Sequence, residues 1–143
     1  MADILEFQYK YRFLSNFWPV SNGVTLDDSK VKFPTIEHAY QAAKSGNLLT
    51  YHKFSKLRSP GEAKRAGKSL VLRNDWDHIK LQVMYELVKQ KFSQEPLKTQ
   101  LLNTGDVLLI EGNKWNDTFW GVCRGKGMNH LGEILMRVRE ELR

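Results

Sequence analysis

The chain has 143 residues, enough for one domain that buries a core without disulfide or metal staples. Hydrophobic residues make up 41% of it and charged residues 27%, and these near-average values argue against a disordered chain. The net charge of +6 agrees with simple solubility and also with attraction to phosphate, in nucleic acid or in a small molecule.

Cysteine and histidine usage narrows the chemistry. Cys123 is the only cysteine, which excludes an internal disulfide and a CxxC pair for zinc or redox work. The four histidines form neither an HxxxH nor an HExxH pair, so we expect no metal and no cofactor. Residues 1–14 carry charges where a signal segment would be apolar, and no run of about 18 apolar residues occurs. We therefore expect a cytosolic or nuclear protein without membrane association, and we favour a monomer.

Residues 4–33 predict short strands and loops. Residues 6–9 and 31–33 alternate apolar and polar side chains, as half-buried strands do. Asn22-Gly23 is typical of a hairpin turn, with strand residues 19–20 before it and 24–26 after it. Ser15-Asn16 is a polar pair between large apolar residues, an unusual place for polar side chains that only pack.

From Pro34 onward the periodicity is helical. Thr35 suits an N-cap, and Gly46 ends the first helix. The remaining predicted elements are helices over residues 48–57, 62–67, 76–92, 97–102 and 131–142, a strand over 107–110 and a glycine-rich loop over 113–127. The fold class is α+β: one helix-rich domain over residues 1–143, with a small, mostly antiparallel sheet from the N-terminal third and residues 107–110.

The first helix carries three polar residues on one face. Glu37, Gln41 and Lys44 fall at i, i+4 and i+7, and Tyr40 flanks them. One interpretation is a solvated polar face with weak contacts between neighbours. The other is a site in which Glu37, stabilised in the first helical turn, moves protons while Lys44 supplies an amine nucleophile.

A second group of candidates follows the predicted strand at residues 107–110. Glu111 comes at the end of that strand, Asp117 lies in the next turn, and Trp120-Gly121 follows. The turn suits a structural Asx motif, whereas a functional interpretation makes the two carboxylates part of a site and Trp120 a stacking wall. Asn129 suits the N-cap of the last helix, which is compatible with anion binding at that helix terminus.

Basic residues concentrate between residues 53 and 73. Seven of them share that stretch with a single acid, Glu62: Lys53, Lys56, Arg58, Lys64, Arg65, Lys68 and Arg73. This asymmetry modestly favours a phosphate-bearing ligand.

Taken together, these segments resemble the NADAR family, also called YbiA-like. The matching pieces, in order, are residues 13–17, 33–44, 75–76, Met84, 91–92, Thr104, 109–111, Asp117, 120–121, 127–136 and Arg139. The resemblance spans nearly the whole chain and implies an N-glycosidase with the fold of that family. It also implies two substrate types, namely ADP-ribose on the amino group of guanine and phosphoribosylamino-pyrimidine intermediates of riboflavin synthesis.

Both substrates join ribose C1 to an exocyclic amine, and such a glycosylamine can open its sugar ring to form an imine. We therefore hypothesise that Lys44 is a nucleophile and that Glu37 or Asp117 shuttles protons. In the simpler alternative, one of these carboxylates activates water and Lys44 binds phosphate. The expected substrate-binding residues are Asn16 on a ribose hydroxyl, Trp18 or Trp120 on the base, and Ser15, Tyr40, Gln41, Glu111, Gly121 and Asn129.

The leading function is removal of ADP-ribose from ADP-ribosylated guanine, in DNA or as a nucleotide, with ADP-ribose as product. The runner-up is a glycosidase of riboflavin intermediates. A binding module that holds ADP-ribose without cleaving it is an alternative of another class. A plain nucleic-acid-binding domain is disfavoured because the chain lacks a helix-turn-helix, RNA-recognition or OB-fold signature.

Overall fold

The computed structural model describes every residue, Met1–Arg143. Its internal contacts divide the chain into two compact units. The terminal unit comprises Met1–Ser15 and Phe92–Arg143, and the central unit comprises Asn16–Lys91. None of the helices combines the length and the apolar character needed to cross a membrane.

The central unit is mainly helical. Its helices are α1 (Ile36–Ala43), α2 (Leu48–Ser55), α3 (Pro60–Gly67) and α4 (Trp76–Phe92), whose last residue already belongs to the terminal unit. Strands β1 (Val24–Thr25) and β2 (Lys32–Phe33) pair antiparallel, with Val24 opposite Phe33. Helix α1 packs closely against α2 and α3, which places it in the middle of the unit.

Local sequence signals explain where these helices begin. The side chain of Thr35 accepts a hydrogen bond from the backbone N–H of His38, so the predicted N-cap of α1 is confirmed. Asn47 caps α2 in the same way, and Ser59 caps α3 with Pro60 in its first turn. Gly46, which follows α1, takes a left-handed φ of 59°, a conformation that favours glycine.

The terminal unit contains a 3₁₀ helix (Tyr9–Leu14), α5 (Leu97–Leu102), α6 (His130–Glu141) and two short strands. Strands β3 (Gly112–Asn113) and β4 (Val122–Cys123) pair parallel. The core of the unit includes the edge-to-face rings of Phe13 and Phe92, whose centroids are 6.5 Å apart. Buried Arg139 on α6 donates a 3.0 Å hydrogen bond to Thr104 Oγ1.

The predicted fold class is confirmed, but the strands lie elsewhere. Residues 6–9 form no strand; a bend at residues 6–7 leads into the 3₁₀ helix that begins at Tyr9. In a strand, Phe7 and Tyr9 would share a face, but Phe7 is buried while Tyr9 is 85% exposed and takes a φ of 55°. Of residues 107–110, only Leu109 pairs, in a single parallel bridge with Ile4. The strands thus form two separate two-stranded sheets, one antiparallel and one parallel.

The predicted hairpin is also wrong in its pairing. Gly23 does turn the chain, with a φ of 72° and an N–H bonded to Val20 O. The backbone N–H of Val20, however, donates to Pro34 O at 2.9 Å, so the residues before the turn do not pair with those after it. Residues 24–25 pair with β2 instead.

Candidate functional site

Helix α1 is buried along its whole length. All eight of its residues are buried, including the polar side chains of Glu37, His38 and Gln41. Glu37 is 8% exposed and Gln41 is 6% exposed, so the interpretation of this helix as a solvated polar face is wrong. Buried polar groups cost free energy unless they are hydrogen-bonded, so each of these side chains requires an explanation.

The Glu37 carboxylate is held by its own helix. Gln41 Nε2 donates to Glu37 Oε2 at 2.7 Å, the contact that the spacing of i and i+4 predicts. The backbone N–H of Glu37 donates to Asn16 O at 3.1 Å, which connects α1 to the loop that contains the polar pair. Asn16, Glu37 and Gln41 therefore form one connected group within the central unit.

The Asn16 side chain retains an acceptor. Its Nδ2 donates to Met84 Sδ at 3.6 Å, while its Oδ1 is buried and has no hydrogen-bond partner. A buried acceptor without a donor is uncommon and costs free energy until a donor arrives. A sugar hydroxyl is a donor of the required kind, and the role of Asn16 in binding one stays a prediction.

Lys44 lies at the C-terminal end of α1 and is half-buried. Its Nζ lies 5.6 Å from the centroid of the Tyr40 ring, and that ring packs on Trp76 with centroids 5.3 Å apart. Burial lowers the pKa of Lys44; nearby Glu37 opposes this shift and nearby Lys80 adds to it. A lowered pKa increases the fraction of neutral amine, the form that attacks carbonyl or imine carbon.

A second lysine with an altered pKa was not singled out from the sequence as a candidate amine. Lys91 on α4 is fully buried, and burial lowers its pKa to about 7. Because its side chain has no solvent exposure, a substrate would reach it only after the surrounding residues moved. Lys44 is therefore the more accessible amine of the two.

His38 stabilises α1 and does not face solvent. Its Nε2 lies 3.0 Å from Leu57 O, a carbonyl that can only accept, so Nε2 carries the proton. Its Nδ1 lies 2.8 Å from Thr35 Oγ1 and accepts from that hydroxyl in the neutral ring. Burial lowers the pKa of His38, which favours this neutral form.

In the terminal unit, Asp117 builds a turn. Its Oδ1 accepts from the backbone N–H groups of Phe119 at 3.1 Å and Trp120 at 2.8 Å. The structural Asx interpretation is therefore confirmed. Asn113 supports the same loop, since its Nδ2 donates to Asp117 O at 2.9 Å.

Asn129 also has a structural task, and the prediction that its side chain caps α6 is wrong. It takes a left-handed φ of 54° and makes no side-chain cap. Its Oδ1 accepts from Glu111 N and its Nδ2 donates to Leu109 O, both at 3.0 Å. These bonds hold the backbone of residues 109–111, because that segment has only one strand bridge of its own.

Gly121 is buried against Glu111. A Cβ at this position would overlap the backbone oxygen and Oε2 of Glu111 and lie 2.7 Å from Asn113 Nδ2. The glycine therefore allows β4 to approach β3, where Val122 N donates to Glu111 O at 2.9 Å. Its structural use is close packing, while the substrate-binding role expected from the sequence stays a prediction.

The predicted aromatic residues lie in different surroundings. Trp120 is half-buried in a cluster of rings, with centroid distances of 4.8 Å to Phe119 and 6.4 Å to His130. The order of residues in the sequence does not predict this cluster. Trp18, in the central unit, is half-exposed. Ser15 is half-buried, and its backbone N–H donates to Arg12 O at the end of the 3₁₀ helix.

Comparison with known proteins identifies the family of the chain. The model of the NADAR domain matches residues 6–143. The chain belongs to the NADAR domain family. The solution NMR structure of the Escherichia coli protein YbiA is similar to it over 99% of this chain and 86% of that one, with a TM-score of 0.81 and 35% identity.

Relatives of this NADAR chain differ in length and in name. N-glycosidase Npun_R5314 of Nostoc punctiforme is 41% identical over 140 residues, covering 93% of this chain and 86% of that protein. N-glycosidase YbiA of Escherichia coli strain K12 is 38% identical over 138 residues, and the match covers 92% of this chain and 82% of that protein. The chloroplastic riboflavin biosynthesis protein PYRR of Zea mays is 37% identical over 147 residues, but the match covers 90% of this chain and only 23% of that protein.

Proposed function

We propose that this NADAR chain hydrolyses the bond between ribose C1 and an exocyclic amine, and that it removes ADP-ribose from ADP-ribosylated guanine. The chain is an enzyme of the N-glycosidase class, the activity for which two relatives matched over most of their length are named. The finer part of the proposal, the substrate, is supported by chemistry and charge.

The observation that carries the proposal is a carboxylate and an amine on one buried helix. Glu37 is held by Gln41 at 2.7 Å, and Lys44 follows two turns later with a lowered pKa. The i, i+7 spacing places Glu37 and Lys44 on the same face of the helix, and the charge of Glu37 raises the pKa of Lys44 against the effect of burial. A solvated surface helix would leave both groups exposed, whereas Glu37 is buried and Lys44 is half-buried.

The amine explains why an exocyclic linkage suits the site. In such a glycosylamine the bond between C1 and the ring oxygen breaks, leaving an imine between C1 and the guanine nitrogen. Neutral Nζ of Lys44 adds to C1, the guanine amine leaves with a proton, and an imine between C1 and Nζ remains. Water then adds to C1 and releases ADP-ribose, and Lys44 returns as the amine.

Glu37 is proposed to carry the protons that these steps require. Asp117 is the alternative, although its Oδ1 already accepts two backbone N–H groups. In the simpler mechanism, one of these carboxylates activates water directly and Lys44 binds a phosphate of the substrate. The buried Oδ1 of Asn16 is proposed to accept a hydrogen bond from a ribose hydroxyl.

Exposed basic residues favour guanine within nucleic acid. Five basic residues at the ends of α2 and α3 and beside them are exposed: Lys53, Lys56, Arg58, Arg65 and Lys68. Such a surface attracts a polyanion more strongly than a single nucleotide. The second candidate, a phosphoribosylamino-pyrimidine, is favoured by the relatives named as riboflavin biosynthesis proteins.

The deciding experiment presents three substrates to the same enzyme: an oligonucleotide with ADP-ribosylated guanine, the corresponding nucleotide, and a phosphoribosylamino-pyrimidine. Mass spectrometry of the released base gives kcat/KM for each. The proposal requires the highest value for the oligonucleotide and a loss of that preference at high salt. Tight ADP-ribose binding without turnover of any substrate would instead identify a binding module.

Borohydride trapping tests the covalent step. Reduction during turnover should fix ADP-ribose to one lysine, and peptide mapping should place it on Lys44. Attachment to Lys91 would move the chemistry to the other amine with a lowered pKa. Turnover with no trapped lysine would exclude the covalent mechanism and leave activation of water.

A further inference from the structure

Gly67, the last residue of α3, lies against the side chain that holds Glu37. It is buried, and a Cβ built on it would overlap Gln41 Oε1 and lie 2.7 Å from Gln41 Cδ. Its backbone is helical, so alanine would be free of backbone strain there. The close approach of Gln41, and not conformational freedom, is what requires glycine.

The orientation of the Gln41 amide is set by a hydrogen bond of its nitrogen and by the close packing of its oxygen against Gly67. Its Nε2 donates to Glu37 Oε2, and a carboxylate oxygen only accepts, so the amide cannot turn over without losing this bond. Its Oε1 points at Gly67 and has no hydrogen-bond partner. A Cα hydrogen of Gly67 lies in the direction in which that Cβ was built, and a C–H group is too weak a donor to replace a hydrogen bond.

We infer that Gly67 is a positioning residue for Glu37 and acts through the Gln41 amide. A methyl group at residue 67 occupies the space of Oε1, and the amide must move. Gln41 has little room to do so elsewhere, since its own side chain is buried and only 6% of the residue is exposed. The donor on Glu37 is then lost. The catalytic meaning of this step rests on the proposed function, but the contact itself does not.

The test is a titration of the Glu37 side-chain carboxyl by ¹³C NMR without substrate. In Gly67→Ala we expect the midpoint to rise by about 0.5–1 pH unit, because the charged carboxylate loses a donor. Lys44, whose charge interacts with that of Glu37, is present in every variant, so no variant changes the cation nearest to this titration along α1. The expected loss in kcat/KM is about tenfold, with the acid limb of the pH profile moved in the same direction.

Gly61 supplies the matched control, because it lies in the same helix and undergoes the same chemical change. A Cβ there has its nearest neighbour at 3.5 Å, the flexible Arg65 Nη1. Gly61→Ala should titrate as the wild type and melt at an equal or slightly higher temperature, since alanine is the better helix former. A midpoint shift in Gly61→Ala equal to that in Gly67→Ala would overturn the inference.

The pair Gln41→Ala and Gly67→Ala/Gln41→Ala tests the route through Gln41. The double variant should titrate like Gln41→Ala and have the same kcat/KM, because the amide that the added methyl group displaces is already absent. If Gly67→Ala alone melts too low to study, the double variant should recover the lost melting temperature. The inference would be contradicted if Gly67→Ala kept the wild-type midpoint, or if the effects of Gly67→Ala and Gln41→Ala on the midpoint added in the double variant. It would also be contradicted if the double variant did not recover the melting temperature lost in Gly67→Ala. Absence of turnover in the wild type would instead refute the proposed function, because the titration needs no activity.

Discussion

Helix α1 in the central unit and the segment from Glu111 to Asn129 in the terminal unit use the same side chains for different purposes. Both contain carboxylates and amides in partly or fully buried positions. In α1, Gln41 bonds a side chain, Glu37, and Oδ1 of neighbouring Asn16 keeps an unused acceptor. In the terminal unit, Asp117 and Asn129 bond backbone groups. The same residue types therefore differ in their partners, which are side chains in α1 and backbone groups in the terminal unit.

Lys44 gives the largest expected effect. Lys44→Ala should lower kcat on the order of a thousandfold or more with little change in melting temperature, because it removes the proposed nucleophile from a half-buried position. Steady-state kinetics with ADP-ribosylated oligonucleotide measures this. Lys44→Arg separates the two mechanisms: turnover that survives in this variant would assign Lys44 to phosphate binding.

Substituting Glu37 and Asp117 in turn compares the two regions directly. Glu37→Gln should lower kcat by about a hundredfold or more, as expected for a residue that transfers protons. Asp117→Asn retains an Oδ1 that can accept from Phe119 and Trp120, so it should keep the loop and cost less than about tenfold. The reverse order of these two losses would transfer the catalytic role to the terminal unit.

Asn129 should affect stability more than the chemistry. Asn129→Ala loses two hydrogen bonds to the backbone, one of them buried, and places alanine in a left-handed conformation. We therefore expect the free energy of unfolding to fall by about 2–3 kcal/mol. Urea denaturation measures this, and Gln41→Ala is the comparison from α1. Gln41→Ala should be the less destabilising of the two and the more damaging to kcat/KM.

The smallest effect concerns pH and His38. Its folded-state pKa is below the unfolded value of 6.5, so the unfolded chain binds the proton first as the pH falls. The stability contributed by the neutral ring is therefore fully present above pH 6.5 and is lost as the pH falls through the folded pKa. The slope cannot exceed about 1.4 kcal/mol per pH unit for one proton. Melting temperatures between pH 7.5 and 5 should show this loss in the wild type and less of it in His38→Asn.

The helices could be predicted from the sequence because their signals are local. Thr35 is an N-cap, and the bounds of α4 and α5 match the predicted residues 76–92 and 97–102. The strands could not, because each is two residues long and is determined by distant partners, as the bridge between Ile4 and Leu109 illustrates. Periodicity carries no information at that length.

In the site, too, local contacts could be predicted from the sequence and contacts with distant elements could not. Spacing along α1 predicts the contact between Glu37 and Gln41, since residues i and i+4 share a face. Burial of that face depends on α3, and the sequence gives no sign that Gly67 would contact Gln41. The left-handed backbone of Asn129 was missed for a similar reason: an asparagine before a helix usually indicates a cap.

The complete burial of α1 has a consequence for how this enzyme could change its specificity. In α6, positions that tolerate substitution should alternate with intolerant ones, because Leu131, Ile134, Leu135 and Val138 are buried while Glu133 and Arg137 are exposed. In α1 every position is enclosed, and a saturation library should show an unbroken block of intolerance. New substrates would then have to be acquired through the loops, while the helix that holds Glu37 stays nearly constant.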